Sequence, residues 1–218
     1  MTPLTELIVW GAGGHATVVA DLFRRTKRFR IVGFIDDVDP GREGENFCGA
    51  KIIGGRKKLA EQRRKGVKYL IVAIGDNQAR LTAAAVAREM GFTLASVVSP
   101  SADVASGTEI GAGTVIGSGV VVTPGVRLGE NVILNTSSSV DHHCVIADGA
   151  HICPGARLSG EVSVGRGAWV GVGVSVIDKI KIGAGAKIGA GAVVVRDVPE
   201  DVLAFGVPAR VVRKLTGK

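Results

Sequence analysis

Four histidines stand in this chain of 218 residues, and two are neighbours, His142 and His143. Asp141 precedes them and Cys144 follows. Asn135 lies shortly before, and His151 and Cys153 lie shortly after. An imidazole titrates near neutrality, so it takes and returns a proton under physiological conditions. Two histidines beside a cysteine also have the composition of a zinc site. A cysteine nucleophile needs a base placed beside it, and the sequence offers none for Cys153.

A second constellation lies near the N-terminus. Gly11-Ala12-Gly13-Gly14-His15-Ala16 follows the apolar run Leu7-Ile8-Val9-Trp10. It approximates a dinucleotide fingerprint, with Gly11, Gly13 and Ala16 in the three places. Asp36 lies twenty residues after Ala16, where a ribose-binding acid is expected, and Asp37 follows it. Glycines let the backbone approach phosphate, and a following helix N-terminus favours negative charge. The same spacing suits a tight strand-to-helix turn with no ligand. A second loop, Gly75-Asp76-Asn77, also follows an apolar run, Tyr69 to Ile74. Two such loops at the C-terminal edge of a sheet favour a nucleotide-type ligand. The chain is too short for a second mononucleotide half and a dehydrogenase domain. We therefore expect one nucleotide or nucleotide-sugar rather than NAD.

The elements that carry these residues differ between the two parts of the chain. Residues 5–99 alternate strands with helices: strands at 7–10, 30–35, 69–74 and 94–98, and helices near 14–23, 56–65 and 77–90. That alternation implies a small parallel sheet covered by helices. Ser99-Pro100-Ser101 ends it. From Val104 to Val194, every sixth residue is Val, Ile or Leu, sixteen in all and without an insertion. Two residues before each stands a small or β-branched partner, from Ala102 to Ala192. Strand side chains alternate, so both positions point to one face, and the rest of each unit turns a corner. Three units close a triangular coil of eighteen residues, and sixteen units give a little over five coils. Glycine follows the aliphatic position at 111, 117, 129, 165, 171, 183 and 189. We assign these glycines to corners where φ turns positive. The expected architecture is an α/β N-terminal half-Rossmann domain, residues 1–99, then an all-β parallel β-helix of hexapeptide repeats, residues 100–198. A tail spans 199–218.

The phase of the repeat places the histidines. His142 follows inward-facing Val140 by two, so it sits at a corner. Cys144 occupies an inward position, so a zinc site is not expected because its ligands would point apart. His151 lies between inward-facing Ala150 and Ile152 and points outward from the middle of the third face. Within one prism His142 and His151 cannot share a site. They meet only across an interface between chains, most simply in a trimer.

Composition agrees with a regular small-residue core. Glycine numbers 32, aromatics are 4% and hydrophobic residues 46%. The glycines lack a triplet period and the chain is not polar enough for disorder, so collagen and an unfolded chain are excluded. No apolar run reaches the roughly 18 residues of a membrane span. Met1-Thr2-Pro3-Leu4-Thr5-Glu6 lacks the basic start of a secretory leader. Three cysteines do not make a disulfide scaffold, so we expect a cytoplasmic protein with reduced thiols. The net charge of +7 gathers at Arg24–Arg28, Arg56–Lys58, Arg63–Lys65 and Arg210–Lys214. These are solvated faces or sites for an anionic small molecule. No nucleic-acid motif accompanies them.

The two-part plan resembles a known family. The motifs are GAGGHA at 11–16, FIDD at 34–37, AIGDN at 73–77, NTSSSVDHHCVI at 135–146, AHICPGARLSG at 150–160 and GVPAR at 206–210. They resemble those of bacterial acetyltransferases that modify nucleotide-linked amino sugars, and of relatives that O-acetylate sialic acid. The wider superfamily has left-handed β-helices and typically forms trimers with the acyl donor between prisms. The resemblance implies acetyl-CoA as co-substrate and no metal. It implies His142 as general base, with Asn135 beside it in the motif. It assigns acetyl-CoA to His151; we further expect backbone along 168–191, with Gly171, Gly173 and Gly189, to follow the pantetheine arm, and Pro208, Arg210, Arg213 and Lys214 to cover the CoA nucleotide end. It assigns the nucleotide-sugar to Gly11, Gly13, Gly14, His15, Asp36, Asp37, Gly75, Asp76 and Asn77. The family places Glu or Asp directly after the catalytic histidine, and this chain places His143 there. Asp141 or the backbone would then orient His142. The expected activity is N-acetylation of a nucleotide-linked amino sugar, with UDP, dTDP and GDP all open, in glycan biosynthesis. The alternatives are O-acetylation of a free sugar acid and a non-catalytic assembly or regulatory β-helix.

Overall fold

Apolar strands buried on both faces build the first sheet. The computed structural model describes residues 4–215, so Met1, Thr2 and Pro3 of the N-terminal reading and the last three residues of the tail lie outside it. The chain divides into two compact units, one ending at Val98 and one beginning at Ser99. In the first, β1 (Thr5–Trp10) pairs in parallel with β2 (Phe29–Ile35) and with β3 (Tyr69–Val72), and β4 (Thr93–Leu94) follows β3. The strand order is β2-β1-β3-β4. The chain reverses direction across the sheet after β2, which makes the C-terminal ends of β1 and β3 a topological switch point.

Three helices serve this sheet. α1 (Gly14–Thr26) buries Ala16, Val19, Ala20, Leu22 and Phe23, an amphipathic spacing, and packs on β2. It runs three residues beyond the expected end and stops where Lys27 adopts φ +53°. α2 (Leu59–Arg64) follows a single 3-10 turn at Arg56–Lys58. α3 (Asn77–Glu89) packs on β3. The expected polar loop at 38–50 is more ordered than its composition suggests. It holds a 3-10 turn, Pro40–Arg42, and a hairpin pairing Asn46–Phe47 with Ala50–Lys51.

The second unit is a three-sided parallel solenoid. Sixteen two-residue strands run from Asp103–Val104 to Val193–Val194. Each pairs with the strand eighteen residues away, as Val121 with Ser139 and Arg127 with Val145. The inward positions are dry: Val140, Cys144, Ala150, Ile152, Ala156 and Val170 are fully buried. Thr114 is buried among them because its hydroxyl donates to Gly129 O and accepts from Val132 N.

The glycines fall into two classes, and this corrects the sequence expectation. Positive φ recurs every sixth residue from Gly107 to Gly191, at the third residue after each aliphatic one. Gly fills most of these corners, while Asn131, Ser137, His143, Glu161 and Lys179 fill the rest with φ between 54° and 62°. The glycines directly after the aliphatic position have ordinary φ. They are needed for close approach, because a Cβ at Gly171 would strike Ile188 O and one at Gly165 would strike Ala184 N.

The tail also departs from expectation. Residues 202–214 form a hairpin, β5 (Val202–Gly206) and β6 (Ala209–Lys214). β5 pairs with the strand Lys187–Ile188 and extends one face of the prism.

Candidate active site

The C-terminal ends of β1, β2 and β3 open onto a cavity of about 910 Å³. Its walls are Trp10–His15, Ile35–Asp39, Arg42, Arg56, Ala73–Asp76 and one side of α3 from Gln78 to Val86. Gly11 holds φ +131°, and a Cβ there would strike Ala73 O, so this glycine serves the turn itself. Gly13, Gly14 and Gly75 have no atom within 4 Å of the place a Cβ would take. Their small size leaves cavity volume that a side chain would fill. α1 begins here with Gly13 as N-cap, no side-chain cap and no acid in its first turn. Its first N–H groups and its dipole suit an anion.

The two acids at the end of β2 also brace the loop that follows. Asp36 is almost fully buried, and both oxygens serve the loop. Oδ1 accepts from Val38 N (2.9 Å) and Asp39 N (3.3 Å), and Oδ2 accepts from Arg42 Nη1 (3.0 Å). Asp37 accepts from Trp10 Nε1 (3.1 Å) and from Arg56 N (2.7 Å). Both line the cavity, but their carboxylates brace it. Arg42, which the sequence did not single out, is the clasp. It donates to Ala12 O (2.9 Å) on the glycine loop, to Asp36 and to both oxygens of Glu45. Glu45, hydrogen-bonded to the guanidinium, raises the Arg42 pKa.

Asp76 lines the cavity and caps α3 by accepting from Ala79 N (2.8 Å). Asn77 does not face the cavity. It is buried and accepts from Arg80 Nη2 (2.8 Å), while Gln78 takes the wall position. Arg80 is 1% exposed and donates to the carbonyls of Ile74 (3.0 Å) and Gly75 (3.1 Å). Burial lowers its pKa to about 10. His15 lines the cavity, and burial, helped by the charge of Arg80, lowers its pKa to about 4. It is therefore neutral at pH 7.

In the second unit, His142 and His143 occupy the corner between the strands Ser139–Val140 and Val145–Ile146. Both are exposed, and their Nδ1 atoms are 3.1 Å apart. The ring of His142 lies over Gly160 and that of His143 over Gly125. Each glycine is one coil away, so the ladder leaves room for one ring on each side. Asp141 makes no hydrogen bond to His142; the partner of His142 is His143.

His151 is placed elsewhere, in the strand His151–Ile152 on another face. It points away from the prism axis, yet it is 5% exposed. Its ring packs edge-on against Trp169, centroids 4.4 Å apart. Trp169 pairs with His151 in register, so adding one coil of eighteen residues to His151 would have found it. Asn135 lies beside His151 and not beside His142. Thr136 N donates to Asn135 Oδ1 (2.8 Å), which turns Nδ2 toward His151 Nε2 at 3.2 Å. The amide donates, so Nε2 of a neutral His151 accepts and its proton sits on Nδ1.

The two thiols of the solenoid are buried and held protonated. Burial raises Cys144 to about 11 and Cys153 to about 12, and Cys144 Sγ donates to Ser159 O. Gly171 and Gly189 have packing roles, the latter against Phe205, while Gly173 takes a positive-φ corner. Pro208 stands at the hairpin turn, and Arg210 is exposed on β6. No helix among the described residues is long and apolar enough to cross a membrane.

Known proteins share this fold. Residues 6–86 match the PglD N-terminal domain model, a stretch that contains every residue lining the cavity. PerB from Caulobacter crescentus, solved in complex with CoA and GDP-perosamine, is 37% identical, with a TM-score of 0.92 over 97% of this chain and 99% of that one. The acetyltransferase domain of PglB from Neisseria gonorrhoeae, solved with acetyl coenzyme A, is 34% identical over 96% of this chain and 100% of that one, with a TM-score of 0.89. WeeI from Acinetobacter baumannii is 25% identical over 95% of this chain and 100% of that one, with a TM-score of 0.82. The curated Saccharomyces cerevisiae protein YJL218W, to which acetyltransferase activity is provisionally ascribed, is 34% identical over 116 residues, which span 59% of its length.

Proposed function

This chain belongs to the hexapeptide-repeat nucleotide-sugar acetyltransferase family, with a left-handed parallel β-helix, and on that footing we propose that it transfers acetyl from acetyl-CoA to the amine of a nucleotide-linked amino sugar. The observation that carries this reading is the cavity of about 910 Å³ at the switch point of the first sheet. It has the volume for a nucleotide diphosphate with its sugar. Its glycine-lined mouth and the uncapped start of α1 suit the pyrophosphate. A free sugar acid would leave much of that cavity empty.

His142 is the general base. The amine nitrogen attacks the thioester carbon, and its proton passes to His142 Nε2. The C–S bond then breaks, and the proton moves on to the leaving thiolate, giving CoA thiol and the acetamide. Donors near the thioester oxygen stabilise the charge that develops there. Because His142 and His151 lie on different parts of one prism, the reading implies a trimer with sites between subunits. Gly171, Gly173, Gly189 and the hairpin with Pro208 and Arg210 would follow the CoA arm.

The test is CoA thiol release from acetyl-CoA with UDP-, dTDP- and GDP-linked amino sugars, and with free sialic acid. Saturable turnover on one nucleotide-linked amine is the expected result. Turnover confined to the free sugar acid would transfer the protein to O-acetylation. His142→Ala is expected to lose roughly 10²–10⁴-fold in kcat with melting unchanged. Near-normal turnover would remove His142 from the mechanism.

A further inference from the structure

The contact between His142 and His143 fixes more than their proximity. Two Nδ1 atoms 3.1 Å apart share one proton: one ring donates and the other accepts. If His143 donates, His142 holds its own proton on Nε2 and has no basic nitrogen facing outward. If His143 accepts, His142 Nε2 carries the lone pair. Once His142 has taken a second proton it holds one on each nitrogen, and only the arrangement with His143 accepting remains.

The corner has room for both rings. His143 sits at φ +60°, in the corner that Gly107 and Gly125 fill on the two preceding coils and Glu161 and Lys179 on the two following ones. An imidazole there bears a local backbone cost. Gly125 and Gly160 leave room for the two rings one coil to either side. The charged groups of this corner are Asp141 before the pair and Glu161 on the following coil. The preceding coil brings Thr123, Pro124 and Gly125, none of which titrates. Neither Asp141 nor Glu161 hydrogen-bonds to either ring.

We propose that His143 is the positioning residue of the site: its neutral Nδ1 accepts from His142 Nδ1–H and leaves His142 Nε2 as the basic nitrogen. This rests on His142 being the base. A neutral acceptor orients the ring as an acid would, but it holds the imidazolium formed in the reaction less tightly than an anion does.

Two measurements test it. Nitrogen-15 NMR of the imidazoles reads the tautomers without any substrate, and the chain has only 4 histidines to assign. His142 is expected with its proton on Nδ1 and His143 with its proton on Nε2; His142 protonated on Nε2 overturns the proposal. The second is the series His143→Gly, His143→Glu and His142→Ala. Glycine suits the corner, so His143→Gly is expected to fold and to melt no lower than the parent. Its kcat is expected to fall roughly 10- to 100-fold with KM unchanged. His143→Glu is expected to restore kcat and to move the acidic limb of the pH–rate profile to higher pH, because an anion holds the His142 proton more tightly. Parental kcat and pH profile in His143→Gly, beside a dead His142→Ala, would overturn the positioning role and leave the base assignment standing. An active His142→Ala would overturn the base assignment itself.

Discussion

His15 shows how one residue can line a cavity and still be held uncharged. Burial, with the nearby charge of Arg80, lowers its pKa to about 4, against about 6.5 in an unfolded chain. The folded state therefore binds fewer protons between those two values. Its stability is highest above pH 6.5 and falls as pH drops toward 4, with no further loss from this group below that. The loss is at most on the order of 3 kcal/mol. His15→Gln removes the titration, so the gap between melting temperatures at pH 7.5 and pH 4.5 is expected to narrow. An unchanged gap would place the acid sensitivity elsewhere. The glycine loop and His15 were legible because loop, helix and spacing all point one way. Arg80 was not, although it follows Asn77 by three and precedes Leu81 and Ala84 on the buried stripe of α3. An arginine there reads as solvent-facing until its acceptors, the carbonyls of Ile74 and Gly75, are seen. At Asp36 the fingerprint spacing holds, and what it did not show is that Arg42 and two backbone N–H groups donate to its oxygens in the loop.

At the scale of the coil, the period of six was legible over its whole length because no insertion breaks phase. What the period did not separate was the two reasons for glycine. Five of the positive-φ corners carry other residues, His143 among them, and this masked the turn position. The glycines after the aliphatic ladder stood out more in sequence, yet their φ is ordinary and neighbouring backbone excludes a Cβ. The two classes predict different substitutions. Gly171→Ala drives a Cβ into Ile188 O, with rigid backbone on both sides, and is expected to cost about 2 kcal/mol or more. Gly173→Ala meets open space and costs only its positive φ, about 1 kcal/mol. Ser137→Gly relieves strain at φ +56° and is expected to be neutral or stabilising by a few tenths. Chemical denaturation of the three variants gives the order directly. Equal losses for Gly171→Ala and Gly173→Ala would mean the coils relax to admit the methyl.

At the scale of the molecule, strict eighteen-residue register leaves His142 at a corner and His151 on another face. No rotation of side chains brings two such places together in one prism. A reaction that uses both must then join the corner of one chain to the face of another, and closed rotational symmetry makes every such junction alike. This has a consequence that single mutants cannot show. His142→Ala and His151→Ala chains are each expected to be nearly inactive as pure assemblies. Mixed at equal amounts, unfolded and refolded together, they form junctions at random. Only a junction with His142 from a His151→Ala chain and His151 from a His142→Ala chain is whole. Such junctions make up about one quarter of the total, so activity is expected to return to about a quarter of the parental value. Mixing without exchange of subunits should give nothing. No recovery after refolding, in particles shown by sedimentation to be mixed trimers, would mean that the two histidines serve different sites.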